Sequence, residues 1–109
     1  MADVRKVLGQ IAPAANTETV LYTGPAVPYT SLVNITITNR AEADATVTIR
    51  IAVADAAVNN KQYIAKDLRV PGNDYITLDD IEIGSTDVIY VTPSTPTLTA
   101  QAFGKEQVS

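Results

Sequence analysis

The chain has no cysteine, no histidine and no tryptophan. Without cysteine there is no disulfide, no thiolate nucleophile and no cysteine-based zinc site. Without histidine there is no side chain whose ordinary pKa lies near neutrality, and neither a Ser-His-Asp nor a Cys-His arrangement can form within the chain. Charge is scarce too: 18% of the residues are charged, against about a quarter in an ordinary domain. The net charge is −4. That balance argues against nucleic acid, which needs a basic face, and against anionic membrane surfaces. The glycines stand alone, so no Gly-rich phosphate loop is present. No apolar run approaches the roughly 18 residues of a membrane helix. The opening MADVRKVLGQIAPAANTE has no long apolar run after its basic pair. It does not read as a signal peptide, and the expectation is a chain made and used without secretion.

What remains is hydrocarbon and small polar side chains. Hydrophobic residues make up 46% of the 109 positions, enough for one packed domain. Thr, Ser, Asn and Ala cover the surface that charges would otherwise cover. In Val33, Ile35 and Ile37 the apolar residues fall on every second position, with Asn34, Thr36 and Thr38 between. Val47, Ile49, Ile51 and Val53 repeat the pattern around Thr48, Arg50 and Ala52. Period two with β-branched residues marks strands that bury one face. The polar stretch Asn39–Asp44 between them predicts a β-hairpin.

Shorter strands are predicted at 19–23, 75–78, 81–83, 87–92 and 97–103, with 87–92 central because both of its faces are apolar. Residues 61–70 read as a strand, or as one helical turn and a strand. Residues 53–58 read as a strand end running into a loop. Gly24–Pro28, Pro71–Asp74 and Pro93–Pro96 punctuate the chain. Asp79-Asp80 interrupts the apolar pattern. The fold class is all-β: a single antiparallel β-sandwich, Ig-like or jelly-roll-like, of about seven or eight short strands. Residues 1–17 read as an N-terminal arm or a first edge strand, 18–104 as the sandwich and 105–109 as a tail.

Candidates for chemistry are few. Asp74, Asp79, Asp80, Glu82 and Asp87 form an acidic stretch, and Asp79, Asp80 and Glu82 are the candidate metal ligands, for calcium. The competing reading is structural. Asp74 and Asp87 start strands after turns, and Glu82 alternates with Ile81 and Ile83, so it points to solvent. Tyr63, Lys66 and Arg69 mix aromatic and basic character, but a half-buried strand accounts for them. Asn34-Ile35-Thr36 fits a glycosylation acceptor and reads better as strand. The five tyrosines suit an interface and the rim of a small core equally. No catalytic residue and no cofactor is expected.

The segments LGQIAPAANTETVLYTGP, SLVNITITNRAEADATVTIRIAV, YIAKDLRVPGNDYITLDDIEIGSTDVIYV and LTAQAFGKEQ cover nearly the whole chain. In that order the chain resembles a group of small virion structural proteins of tailed bacteriophages, cyanophages among them. Gln10, Ala12, Pro13, Leu21-Tyr22-Thr23, Asn39-Arg40, Arg50–Val53 and Ala102-Phe103-Gly104 carry the resemblance. The stretch TGPAVPYTS departs from the group's PAG-type turn. The resemblance implies a β-sandwich module of the virion, added in many copies and without enzymatic activity. Its expected role is capsid decoration (cement), or a part of the tail, baseplate or fibre. The expected partners are the major capsid protein or other virion proteins and further copies of the chain. Gln10, Pro13, Pro25, Pro28 and Tyr29 are the expected contacts. A calcium- or carbohydrate-binding module is the alternative, though sugar readers commonly stack their ligands on aromatics and tryptophan is absent.

Overall fold

A computed structural model describes residues 4–25, 29–55, 57 and 59–108. It contains eight strands: β1 (Val4–Ile11), β2 (Thr19–Thr23), β3 (Tyr29–Asn39), β4 (Ala45–Ala52), β5 (Tyr63–Val70), β6 (Tyr75–Ile83), β7 (Val88–Pro93) and β8 (Leu98–Val108). Single 3-10 turns lie at Val53–Asp55 and Asn60–Gln62. Among the described residues there is no α-helix.

The strands form two four-stranded antiparallel sheets. Sheet A has the order β1-β8-β3-β6 and sheet B the order β2-β7-β4-β5. Strands β1 with β8, β2 with β7, β3 with β6 and β4 with β5 pair as in one long hairpin. Rolling that hairpin up adds the β3–β8 and β4–β7 pairs. This is the jelly-roll arrangement of a β-sandwich.

The predicted hairpin of β3 and β4 does not form. β3 lies in sheet A and β4 in sheet B, so the link at 40–44 crosses between layers. The alternation holds for Val33, Ile35, Ile37, Val47 and Ile49, which are all buried, and fails at Ile51, which is half-buried, and at Val53, which lies past the end of β4 and is 66% exposed. The buried residues set their apolar faces against one another across the sandwich, and period two alone does not distinguish face-to-face from edge-to-edge neighbours. Every consecutive connection changes sheets except β4 to β5.

Residues 4–11 are a first edge strand held by β8, one of the two alternatives expected for the N-terminal segment. Two further differences follow from pairing. The last strand runs on to Val108, because Lys105, Glu106 and Gln107 pair with Leu32, Ser31 and Thr30. Residues 105–108 of the expected tail are therefore sheet. Asp79-Asp80 does not end β6 but forms a β-bulge inside it, since the register jumps from Val33–Ile81 to Ile35–Leu78.

Asn39 holds one end of the sandwich together. It is buried and its Nδ2 donates to the carbonyls of Ala43 at 2.8 Å and Val70 at 3.2 Å. Its Oδ1 accepts from the Ala41 N–H at 3.0 Å and the Thr97 hydroxyl at 3.2 Å. Three crossings thus meet on one side chain. Gly72 lets two of them touch: a Cβ there would lie 1.8 Å from the Glu42 carbonyl oxygen.

Candidate interaction surfaces

The two outer faces of the sandwich differ. On sheet B, Arg50 is set by alternation on the outward side of β4, where a solvent-facing guanidinium is expected. It is instead 6% exposed. Its Nη2 and Nε donate to Glu18 Oε1 at 2.7 Å and Oε2 at 2.8 Å, a two-pronged ion pair. Its Nη1 donates to Gln62 Oε1 at 2.7 Å. The guanidinium carbon lies 4.0 Å from the centre of the Tyr90 ring, within cation–π range. The Arg50 hydrogen bonds hold the Glu18 carboxyl below its ordinary pKa, and the same contacts hold Arg50 above its own. The Tyr90 hydroxyl donates to Asp55, and that bond raises the tyrosine pKa. Gln62 Nε2 donates to the Ala57 carbonyl at 2.9 Å. The connection from β4 to β5 and the residues before β2 are thereby tied down over this face.

Sheet A has no such cover among the described residues. Cross-strand register builds its outer face in rows. One row is Gln10, Gln101, Thr36 and Thr77, spanning all four strands. The next is Val7, Phe103 and Asn34. Val7 is 55% exposed and Phe103 40%. A shallow groove of about 670 Å³ runs past both, bounded by Leu32, Asn34, Lys105 and Lys6. β3, at the centre of the sheet, has no charged residue. The result is an open face of threonine, amide and apolar side chains, low in the charged side chains that interface cores also lack.

Gly104, in the resemblance motif Ala102-Phe103-Gly104, has a backbone reason to be glycine. A Cβ there would lie 2.0 Å from the Leu32 carbonyl oxygen. Tyr22, from the Leu21-Tyr22-Thr23 motif, ties the sheets together. Its hydroxyl donates to Glu106 Oε2 at 2.7 Å and lies 2.6 Å from Ser31 Oγ. A tyrosine has one hydroxyl proton, so Ser31 is the donor in the second bond. Burial first, with the Glu106 carboxylate adding to it, pushes the Tyr22 pKa up to about 12. Lys6 Nζ completes the chain at 3.4 Å from Glu106 Oε1.

The expected contact residues are scattered. Gln10 is exposed on the open face, and Tyr29 is exposed at the start of β3. Pro13 is buried in the crossing from β1 to β2 and offers no surface to a partner. Pro25 is half-buried at the end of β2. Pro28 lies outside the described residues. Val7 and Phe103 were missed. Phe103 lies at an alternating outward position in the last predicted strand, which is a usable signal. Val7 had none, because residues 4–11 do not alternate cleanly.

Asp79, Asp80 and Glu82 are exposed on β6. Among the described residues no three acidic side chains come together as a metal site. Asp87 is occupied as a turn cap: its carboxylate accepts from the N–H groups of Gly84 at 2.9 Å and Ala54 at 3.0 Å. Asp74 accepts from the N–H of Tyr75 at 2.7 Å. Among the described residues no helix is long and apolar enough to cross a membrane. Comparison with protein-family models finds no match, and comparison with curated proteins finds none.

Proposed function

We propose that this chain is a non-enzymatic structural protein of a tailed-phage particle, a decoration (cement) protein that binds the assembled head and stabilises it. The observation that carries the reading is the contrast between the two sheets. Loops and an ion pair cover the middle of sheet B around Arg50, with Val20, Ile64 and Leu68 exposed on its edge strands, while sheet A presents an uncharged central strand beside the exposed pair Val7 and Phe103. Jelly rolls recur in viral capsid domains, though fold alone does not carry function. The sequence resemblance to phage virion proteins supplies the particle.

A module that binds only the assembled shell favours the shell by mass action. Each contact can be weak, because a copy that touches several shell subunits at once gains effective concentration without new chemistry. Such a role asks for a stiff, inert body with one adhesive face.

Immunogold electron microscopy of the particles, with antibody to this chain, tests the reading. Label over the heads is expected. Label confined to the tail or its tip would replace decoration with a tail or fibre role. Particles that carry none of the chain by both label and mass spectrometry would overturn the virion reading.

A further inference from the structure

The two long sides of the sandwich are not alike. On one side the edge strands are β1 and β2. They touch at Gly9, where a Cβ would lie 2.2 Å from the Leu21 carbonyl oxygen. On the other side the edge strands are β5 and β6, joined by the turn at 71–74. Here the core is left ajar. On β6, Ile76, Leu78 and Ile81 pair with Ile37, Ile35 and Val33. The β3 residues are fully buried, whereas their β6 partners are half-buried. On β5, Ala65 and Leu68 pair with the buried Ile49 and Val47, yet Ala65 is half-buried and Leu68 exposed. Ile64 and Tyr75 add exposed apolar surface at the two lips of this opening.

The lips differ in charge. β6 carries Asp79, Asp80 and Glu82 and no base. β5 and the 3-10 turn before it carry Lys61, Lys66 and Arg69 against one acid, Asp67. Arg69 is already paired with Asp44. Lys61 and Lys66 are exposed. Among the described residues neither lysine forms an ion pair, and neither do the three β6 carboxylates. Lys66 lies over the Tyr63 ring, 4.9 Å from its centre.

We propose that two copies of this chain join along this side, β6 of each against β5 of the other. Two closed arrangements bring the open sides together. With the two-fold axis across the sheets, β6 meets β6, and unpaired carboxylates face unpaired carboxylates. With the axis along the strands, β6 meets β5, and acid meets base. Complementarity of charge selects the second. That rotation also turns the outer faces of the adjoining sheets the same way. Lys66 and Asp79, which follow the inward-facing Ala65 and Leu78, come out on one surface as cross-strand neighbours do. Heights along the strands are unchanged by it. Lys66 and Asp79 are both mid-strand, and Lys61 and Glu82 both lie at the end away from the 71–74 turn. The apolar lips meet beneath these charges and cover each other's opening.

The contact is isologous, so every pair occurs twice and growth stops at two copies. The bulges at Asp80 and at Asp67 interrupt the free edges of β6 and β5. They prevent a continuous hydrogen-bond ladder and leave the joint to side chains. The outer face of sheet A stays open in this dimer, so the inference stands or falls apart from the decoration reading.

The test is analytical ultracentrifugation of the purified chain over a range of concentration at low and high salt. The unmodified chain is expected to show a monomer–dimer equilibrium that weakens as salt rises. Lys61→Glu with Lys66→Glu should weaken the dimer by at least about tenfold, because each reversed pair counts twice. Asp79→Lys with Glu82→Lys should do the same, and all four changes together should restore the dimer. Lys61→Gln with Lys66→Gln serves if a reversed chain fails to fold, with a smaller weakening and a flatter salt dependence expected. A chain that stays monomeric at low salt would overturn the contact and leave head binding untouched. A dimer indifferent to the neutralised lysines, or one lost instead on Phe103→Ser, would also overturn it, because another face would then be in use.

Discussion

Arg50 and Glu18 grip each other through two hydrogen bonds of 2.7 and 2.8 Å. Arg50 sits in β4, and Glu18 lies in the crossing that leads into β2, so β7 runs between their strands in sheet B. The pair covers the middle of that sheet's outer surface, beside the Tyr90 ring.

Glu18→Gln leaves a buried guanidinium without its counter-charge. The expected loss is about 1–2 kcal/mol, less than for a wholly buried pair because solvent screens the part-exposed carboxylate. Urea unfolding at neutral pH measures it. The pH dependence has a definite sign. The folded pKa of Glu18 is below its ordinary value, so its contribution is present above that ordinary value and is lost as the pH falls through the folded one. Glu18→Gln should therefore flatten the acid limb of the stability curve.

Tyr22→Phe removes the hydroxyl between Ser31 and Glu106. The expected cost is about 1–2 kcal/mol, from one lost buried bond and a stranded serine. Ultraviolet titration provides an independent readout. Tyr22 should ionise near pH 12, and that late step should vanish in the variant. Its pKa is raised in the folded state, so stability should fall as the pH rises from 10 to 12.

Asn39→Ala removes a hub that bonds three crossings. A loss of about 2–3 kcal/mol is expected, because the Val70 carbonyl loses its donor in a buried place and the half-buried Ala41 N–H loses its acceptor. Asn39→Asp should also destabilise, since a carboxylate cannot donate to the Ala43 and Val70 carbonyls. Thermal unfolding followed by circular dichroism checks both.

Asp80→Val tests the β6 bulge. Asp80 has a φ of 59°, and a β-branched residue there should cost about 1–2 kcal/mol. Asp80→Gly should be nearly neutral. Asn34→Ala, which removes the side-chain acceptor of the Asp80 N–H at 3.0 Å, should cost about 0.5–1.5 kcal/mol. The same device recurs on β5, where the Asp67 N–H donates to Thr48 Oγ1 at 3.1 Å and Asp67 has a φ of 51°. Both edge strands on that side of the sandwich are thus blunted, and more self-association on release of either bulge is the expected side effect.

Much of the fold was legible because burial on one face leaves a period of two. Val33, Ile35 and Ile37 told their own orientation, and so did Val47 and Ile49. Central β7 was legible from its two apolar faces. The bulges were not: Asp79-Asp80 reads as a break, because one extra residue disturbs the alternation just as a turn does. The open face was half legible. Thr36, Thr38, Gln101 and Phe103 alternate with buried neighbours, but nothing local says whether a loop will cover them.

The sequence by itself determined that this is a cysteine-free, histidine-free chain of short strands with one apolar face each, and that catalysis by thiol or imidazole is closed to it. Those are properties of composition and of nearest neighbours. Only the tertiary structure decided that β3 and β4 meet across the core and do not pair, and that Arg50 is buried and Phe103 exposed. Each of these depends on which strands become neighbours. In a jelly roll most paired strands are far apart in sequence, as β1 and β8 are, so short-range patterns carry no record of the choice.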